Sequence, residues 1–291
     1  MRWRNPRRSG NIEDRRGMRV PMKAVGGGIG GLIVLVLTLL LSGGDPGVIF
    51  DNNANIGINN NPGSSYYEGT TPISQEEREL ADFVSVVLAD TEDTWNEIFA
   101  AENLDYREPT LVLFSGAVES ACGFAQSAVG PFYCPVDEKV YIDLSFYRDL
   151  RDRFGAPGDF AQAYIIAHEV GHHVQNQIGI MEEVNSAQQQ ANNQVDANRL
   201  SVSLELQADC FAGVWAYNAD RARDILEQGD IEEGLNAASS IGDDRLQMES
   251  QGQVTPDSFT HGSSVQRVSW FERGLEGGDI NSCNSFEVTN S

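Results

Sequence analysis

Residues 168–172 combine two histidines and a glutamate at a spacing that suits metal-dependent hydrolysis. They read His168-Glu169-Val170-Gly171-His172. In an α-helix, residues four apart lie on one face about one turn apart, so both imidazoles can reach one cation while Glu169 projects beside it. The same spacing also arises by chance on amphipathic helices, where the histidines are ordinary core or surface residues. Residues 160–167 are mostly apolar and lack Pro and Gly, which favours a buried helix that carries a catalytic metal site.

A catalytic zinc ion takes three protein ligands and a water, so two histidines leave the site incomplete. The metzincin arrangement would add a Gly three residues and a His six residues after the second histidine. Gln175 and Ile178 occupy those positions. The sequence therefore excludes this arrangement, and the third ligand has to come from elsewhere in the chain.

Glu205 is the best candidate for the third ligand. It stands four residues before Asp209, so both carboxylates lie on one helical face. Glu205 can bind the metal while Asp209 accepts a hydrogen bond from a ligand histidine and fixes its tautomer. The surrounding segment is apolar, and an unpaired carboxylate would be costly to bury there. The competing acids lie outside that segment: Glu182, Glu183 and Asp196.

The two remaining histidines have different expected places. His261 precedes the last predicted helix, where it is either a donor to the oxyanion of a tetrahedral intermediate or a plain loop residue. His173 lies about 100° around the helix from His172 and cannot share its face. We therefore expect His173 to support the structure around the site instead of binding the metal.

The chain resembles the bacterial family of neutral zinc metallopeptidases, which are membrane-anchored and zincin-like. The resemblance implies that His168, His172 and Glu205 bind zinc and that Glu169 is the general base. The Glu-x-x-x-Asp arrangement also characterises the broader class of gluzincin peptidases. The resemblance implies no particular substrate. The matching segments are residues 7–17, 121–123, 133–135, 168–172, 205–209 and 258–262.

The predicted chemistry is hydrolysis of a peptide bond by a water bound to one Zn²⁺ per chain. Glu169 would take the proton from that water and pass it to the leaving amine. Two other interpretations remain open. One is a catalytically inactive zinc-binding or chaperone-like domain, although a purely structural site needs four ligands and no base. The other is a membrane-tethered scaffold in which the histidines bind no metal.

The start of the sequence has the pattern of a membrane insertion signal. Residues 1–23 contain eight Lys or Arg against two acids, and residues 24–42 are uncharged and mostly apolar. This length is about that of a transmembrane helix, and the positive flank predicts a cytoplasmic N-terminus. A cleaved signal peptide is the alternative, but the run is long and no Ala-x-Ala site follows it. We expect a single-pass membrane protein whose C-terminal domain is periplasmic or extracellular.

Composition narrows the range of partners. Beyond residue 23 the formal charge is −29, so nucleic acid is excluded as a partner. Residues 43–73 are rich in Asn, Gly, Pro and Ser and predict a flexible linker to the membrane. The expected partners are the membrane, through the N-terminal helix, and a protein or peptide substrate in the cell envelope.

Four cysteines follow the apolar segment, in what should be an oxidising compartment. Two disulfides are therefore expected. Three pairings are possible, and the spacing favours Cys122 with Cys134 and Cys210 with Cys283. A cysteine metal site is disfavoured because the chain contains no Cys-x-x-Cys pair.

The elements that position these residues predict an α+β fold for residues 74–291. Ser74 caps an amphipathic helix that runs to about Ala101, and residues 110–114 and 139–144 predict paired strands of a small sheet. The rest of the domain is mainly helical, and the resemblance makes it zincin-like. The predicted helices cover residues 159–177, 181–218, 231–248 and 264–275.

Overall fold

The computed structural model describes residues 1–4, 7–18 and 73–287. The predicted transmembrane helix and nearly all of the predicted linker lie outside these residues. Within them, no helix combines the length and the apolar composition that a bilayer crossing needs. The described residues form six strands and eight α-helices: β1 (Ile12–Asp14), α1 (Gln75–Ala101), β2 (Thr110–Phe114), β3 (Ala117–Ser120), β4 (Gly123–Gln126), β5 (Phe132–Cys134), β6 (Lys139–Asp143), α2 (Phe146–Asp152), α3 (Asp159–Gln177), α4 (Ile180–Gln189), α5 (Gln194–Arg223), α6 (Asp230–Ser240), α7 (Asp243–Gln251) and α8 (Ser264–Gly277).

Helix α1 begins at the predicted cap. The Ser74 side chain accepts from the backbone N–H of Glu77, and the Glu77 carboxylate accepts from the backbone N–H of Ser74. This reciprocal pair satisfies two of the donors that a helix start leaves free. The helix then buries Val84, Leu88 and Trp95 against the rest of the domain. The prediction of this helix is confirmed at both ends.

A four-stranded sheet with the order β1-β2-β6-β5 forms the β part of the fold. Strands β1, β2 and β6 run parallel, and β5 pairs with β6 in the antiparallel sense. The predicted pairing of residues 110–114 with 139–144 is therefore confirmed. Strands β1 and β5 and the hairpin of β3 and β4 were not predicted from the sequence. The predicted Cys122–Cys134 disulfide ties the turn of that hairpin to the end of β5.

Helix α3 carries the histidine motif and spans the predicted residues 159–177. It follows Gly158, whose φ of 120° would be strained for a residue with a side chain, and the Glu233 carboxylate lies where a Cβ atom would be. It ends near Gly179, which adopts a left-handed conformation with φ of 84°. All residues from Phe160 to Gln175 are buried except Gln162, so the motif lies in the core as predicted.

Two predicted helices are each divided in the structure. Residues 181–218 belong to α4 and α5, which are separated at residues 190–193 because the Asn193 side chain caps α5 by accepting from the N–H of Asp196. Residues 231–248 belong to α6 and α7, which are separated at Ile241 and Gly242. A side chain at Gly242 would collide with Ser264, so the break lets the start of α8 approach.

Helices α5 and α8 pack unusually closely. A Cβ atom on Gly213 of α5 would collide with the backbone carbonyl of Phe271, and one on Gly274 of α8 with the carbonyl of Cys210. The predicted Cys210–Cys283 disulfide joins α5 to the segment after α8. These contacts fix α8 and the loop before it against the helix that carries Glu205.

Candidate metal centre

His168, His172 and Glu205 converge on one point between α3 and α5. Their ligand atoms all lie within 4.8 Å of one another. His168 Nε2 is 3.2 Å from one Glu205 carboxylate oxygen, and His172 Nε2 is 3.4 Å from the other. The three side chains are at most 12% exposed. The structure therefore brings together the three ligands that the sequence analysis predicted.

Gly171 explains how the two helices approach closely enough for this. A Cβ atom on Gly171 would lie 3.0 Å from the carbonyl oxygen of Ala208 and 3.2 Å from its Cα. These distances are tighter than ordinary van der Waals contact. The glycine inside the motif thus allows α5 to cross α3 at the level where Glu205 faces both histidines.

Asp209 orients His168 as predicted. Its Oδ1 atom is 2.8 Å from His168 Nδ1, which leaves Nε2 as the atom that faces Glu205. Burial lowers the pKa of His168, but the nearby Asp209 and Glu205 carboxylates outweigh it and raise that pKa to about 9. A cation bound at Nε2 would replace this proton, as expected for a metal site between carboxylates.

Gln175 orients His172 in a corresponding way. Its Oε1 atom is 2.8 Å from His172 Nδ1, while its Nε2 donates to the Leu204 carbonyl at 2.7 Å and to Gln207 Oε1 at 3.0 Å. From the sequence, Gln175 served only to exclude the metzincin arrangement. Its position three residues after His172, on the same helical face, was the signal that could have identified it.

Arg267 is a second residue that the sequence analysis missed. It lies on α8, only 2% exposed, and donates to Asp209 Oδ2 through Nε at 2.8 Å and to Oδ1 through Nη2 at 2.9 Å. The Tyr164 hydroxyl also donates to Asp209. Burial alone raises the pKa of Asp209, whereas Arg267 and His168 bring it down to about 2. Asp209 therefore stays ionised between the ligand histidine and the arginine.

Replacing Arg267 by methionine should destabilise the fold, because the buried Asp209 carboxylate then lacks its arginine partner. Breaking a buried ion pair in this way costs about 3–5 kcal/mol. Urea unfolding of the full chain would measure the loss. The matched control is Arg199→Met on α5, where the side chain is 63% exposed and a change within about 0.5 kcal/mol is expected. Equal effects of both substitutions would contradict the assigned ion pair.

Glu169 lies next to the predicted ligands, and its surroundings suit a general base. It is 8% exposed, and burial raises its pKa above the ordinary glutamate value, against the opposing effect of the two histidines. Glu205 differs, because His172 and His261 hold its pKa well below the usual range despite burial. The two carboxylates thus have the separated proton affinities that distinguish an acid–base group from a ligand.

His261 and Asp243 form a second polar pair beside this centre. One Asp243 oxygen accepts from the backbone N–H groups of Thr260 at 2.7 Å, His261 at 2.7 Å and Gly262 at 3.1 Å. The other lies 3.3 Å from His261 Nδ1. These hydrogen bonds hold the loop in place, and Nε2 of His261 takes no part in them. The charge of His261 also helps to hold the pKa of Glu205 below its usual range.

His173 stays away from the metal ligands. Its Nδ1 is 3.0 Å from the Tyr133 hydroxyl, and its Nε2 lies within hydrogen-bond distance of the Arg107 carbonyl and of Gln177. These contacts tie α3 to β5 and to the segment before β2. His173 therefore has the supporting place that the helical geometry predicted.

The chain matches one protein family and is similar to several individual proteins. The sequence profile of a protein family described as "Putative neutral zinc metallopeptidase" matches residues 1–286. "Uncharacterized protein YpfJ" of Escherichia coli strain K12 is 51% identical over 297 residues, which cover 98% of this chain and 99% of that protein. "Uncharacterized protein Rv2575" of Mycobacterium tuberculosis strain H37Rv is 44% identical over 193 residues, which cover 63% of this chain and 64% of that protein. No solved structure matches the chain.

Proposed function

The chain belongs to the neutral zinc metallopeptidase family, and from this premise we propose that it is a zinc-dependent peptidase that hydrolyses peptide bonds. The observation that carries the proposal is the convergence of His168, His172 and Glu205 with Glu169 beside them. Family membership alone supports zinc binding. The added base is what supports turnover.

The donor set fits zinc. Two imidazole nitrogens and one carboxylate oxygen match catalytic zinc sites with two histidines and a glutamate, which keep a fourth position for water. The Nδ1 atoms of both histidines are engaged by Asp209 and Gln175, so both Nε2 atoms are directed to the same point. We include a zincin-like arrangement in the proposal, supported by the contacts of α3 with α5, β5 and β6.

The bound zinc ion would lower the pKa of its water toward neutrality and polarise the substrate carbonyl. Glu169 would accept the proton of that water and deliver it to the leaving amine, which suits a carboxylate whose pKa is raised by burial. His261, held at Nδ1 by Asp243, would donate from Nε2 to the oxyanion.

The alternative is a zinc-binding or chaperone-like domain without turnover. A structural zinc site has four protein ligands, whereas the group at α3 and α5 offers three among the described residues. Glu169 would also have no task in such a domain. Both features favour the peptidase.

We also propose that the substrate is a protein or peptide of the cell envelope and that residues 73–287 act outside the cytoplasm. Both disulfides support this location, because disulfides persist in oxidising compartments. Attachment to the membrane through residues 24–42 is part of the same proposal and rests on the sequence pattern alone.

Metal removal tests the proposed function directly. We expect the purified full chain to contain one zinc ion and to cleave an unfolded protein such as casein. Treatment with a chelator should abolish cleavage, and added Zn²⁺ should restore it, because the ion supplies the attacking water. Cleavage would be followed by fluorescence of labelled casein. One zinc ion per chain with no cleavage of any peptide library would instead favour the binding domain.

A further inference from the structure

The described N-terminal residues contact the domain through a buried carboxylate of α1. Glu92 is fully buried. Its Oε1 accepts from the Ser9 hydroxyl and from Asn11 Nδ2 at 2.9 Å, and its Oε2 accepts from Arg7 Nη2 at 2.9 Å. All three donors come from residues 7–11. The docked segment thus supplies the donors that pair the buried Glu92 charge, as a buried charge requires.

Strand β1 supplies the second part of this contact. It lies parallel to β2, with Ile12 opposite Leu111 and Asp14 opposite Leu113. The backbone continues the pairing at both ends, because Leu111 N donates to Asn11 O and Arg15 N donates to Leu113 O, each at 2.8 Å. Leu111 and Leu113 are fully buried. If β1 were absent, β2 would become an apolar edge strand with unpaired backbone groups.

Charged residues also join this segment to the domain, and two of its arginines, Arg7 and Arg8, bind acids of α1. Arg8 binds Asp82 on α1 at 2.6 Å, and Lys139 on β6 binds Glu13 at 2.8 Å. Arg16 is 6% exposed and donates to Asp14 and to the Glu77 carbonyl. The positive charge that predicts a cytoplasmic flank therefore also has a local role, which is to hold residues 7–18 against the acidic α1.

From these contacts we propose that the face formed by α1 and the β2 edge is the docking surface for the chain's own residues 7–18, so that residues 7–18 and 73–287 occupy one compartment. A single membrane crossing between residues 18 and 73 would put β1 and β2 on opposite sides, and the sheet could not form. A second copy could not supply the strand, because its N-terminal segment would have the same orientation. The proposal replaces both the single membrane crossing and the cytoplasmic N-terminus that the sequence pattern predicts, and it does not depend on peptidase activity.

Accessibility of two single cysteines in the full chain tests this. Met18 and Met248 are 65% and 53% exposed and lie on the two parts of the chain that the proposal places together. Met18→Cys and Met248→Cys would be treated with a membrane-impermeant maleimide in spheroplasts and again after lysis. The wild type is the control, because its four cysteines form two disulfides. We expect both variants to be labelled to the same extent in spheroplasts.

Labelling of Met248→Cys in spheroplasts with labelling of Met18→Cys only after lysis would overturn the proposal. Labelling of Met18→Cys in spheroplasts with labelling of Met248→Cys only after lysis would also overturn it. Two cysteines that are equally labelled, or equally protected until lysis, support one compartment. Because neither position touches the metal ligands, this outcome is independent of whether the protein proves to be a peptidase.

Proteolysis of the purified full chain tests the docking itself. We expect trypsin to cut slowly at the arginines of residues 7–16 in the wild type and about tenfold faster in Glu92→Gln, because that change weakens the bond to Arg7 and so favours local opening. The matched control is Glu97→Gln, which is exposed on the same helix. Wild-type cleavage at the rate of a free peptide of residues 7–18 would show that the segment is not docked.

Discussion

Replacing Glu169 by glutamine is expected to lower the rate of peptide hydrolysis by about 10²- to 10⁴-fold, the contribution of a well-placed general base. The substitution keeps the size of the side chain and the fold but removes its ability to accept a proton. Zinc binding should persist, because the proposed ligands are His168, His172 and Glu205. The rate would be measured on a fluorogenic peptide with zinc content determined in the same samples.

Glu183→Gln provides the control for this substitution. Glu183 is an exposed acid on α4, and its replacement should leave the rate unchanged. Retention of full activity by Glu169→Gln, with one zinc ion still bound, would exclude the assigned base. The Glu169→Gln variant thus separates the base from the metal site, which no substitution of a ligand can do.

The second large effect is expected from Glu205→Ala. Loss of one of three protein ligands should reduce the zinc content of the dialysed protein from one ion per chain to near zero and abolish hydrolysis with it. Elemental analysis of wild type and variant side by side would measure this. Retention of one tightly bound zinc ion would show that another residue is the third ligand.

Glu182→Ala is the matched control for that experiment. Glu182 was a competing candidate in the sequence, and it is exposed on α4. Its replacement should leave the zinc content unchanged. Circular dichroism of metal-free Glu205→Ala should still show a folded protein, because α3 and α5 also pack through Gly171 and Ala208.

Sequence reasoning identified the parts of the centre that depend on local spacing. His168 and His172 are one helical turn apart, as are Glu205 and Asp209, so their shared faces follow from helix geometry. The helix start at Ser74 follows from capping chemistry in the same way. Both disulfides were also predicted, because few pairings were possible.

Residues that act across the chain could not be predicted in this way. Arg267 reaches Asp209 from a helix 58 residues later, and no local pattern links the two. Strand β1 is three residues long and finds its partner only in the folded protein. A cluster of arginines has the same composition whether it flanks a membrane or pairs with an acidic helix, so the charge pattern could not reveal the contacts with α1.

The parallel pairing of β1 with β2 also sets the order in which the chain can fold. Ile12 meets Leu111, which is made about 100 residues later, so ribosomes adding 5–20 residues per second need roughly 5–20 s to produce the partner strand. Throughout that interval residues 7–18 are already synthesised but cannot pair. Such long-range parallel contacts also make folding slow after synthesis ends. Residues 7–18 are therefore made long before β2 but are among the last parts of the domain to reach their native place, and during this interval their unpaired backbone groups are open to other partners.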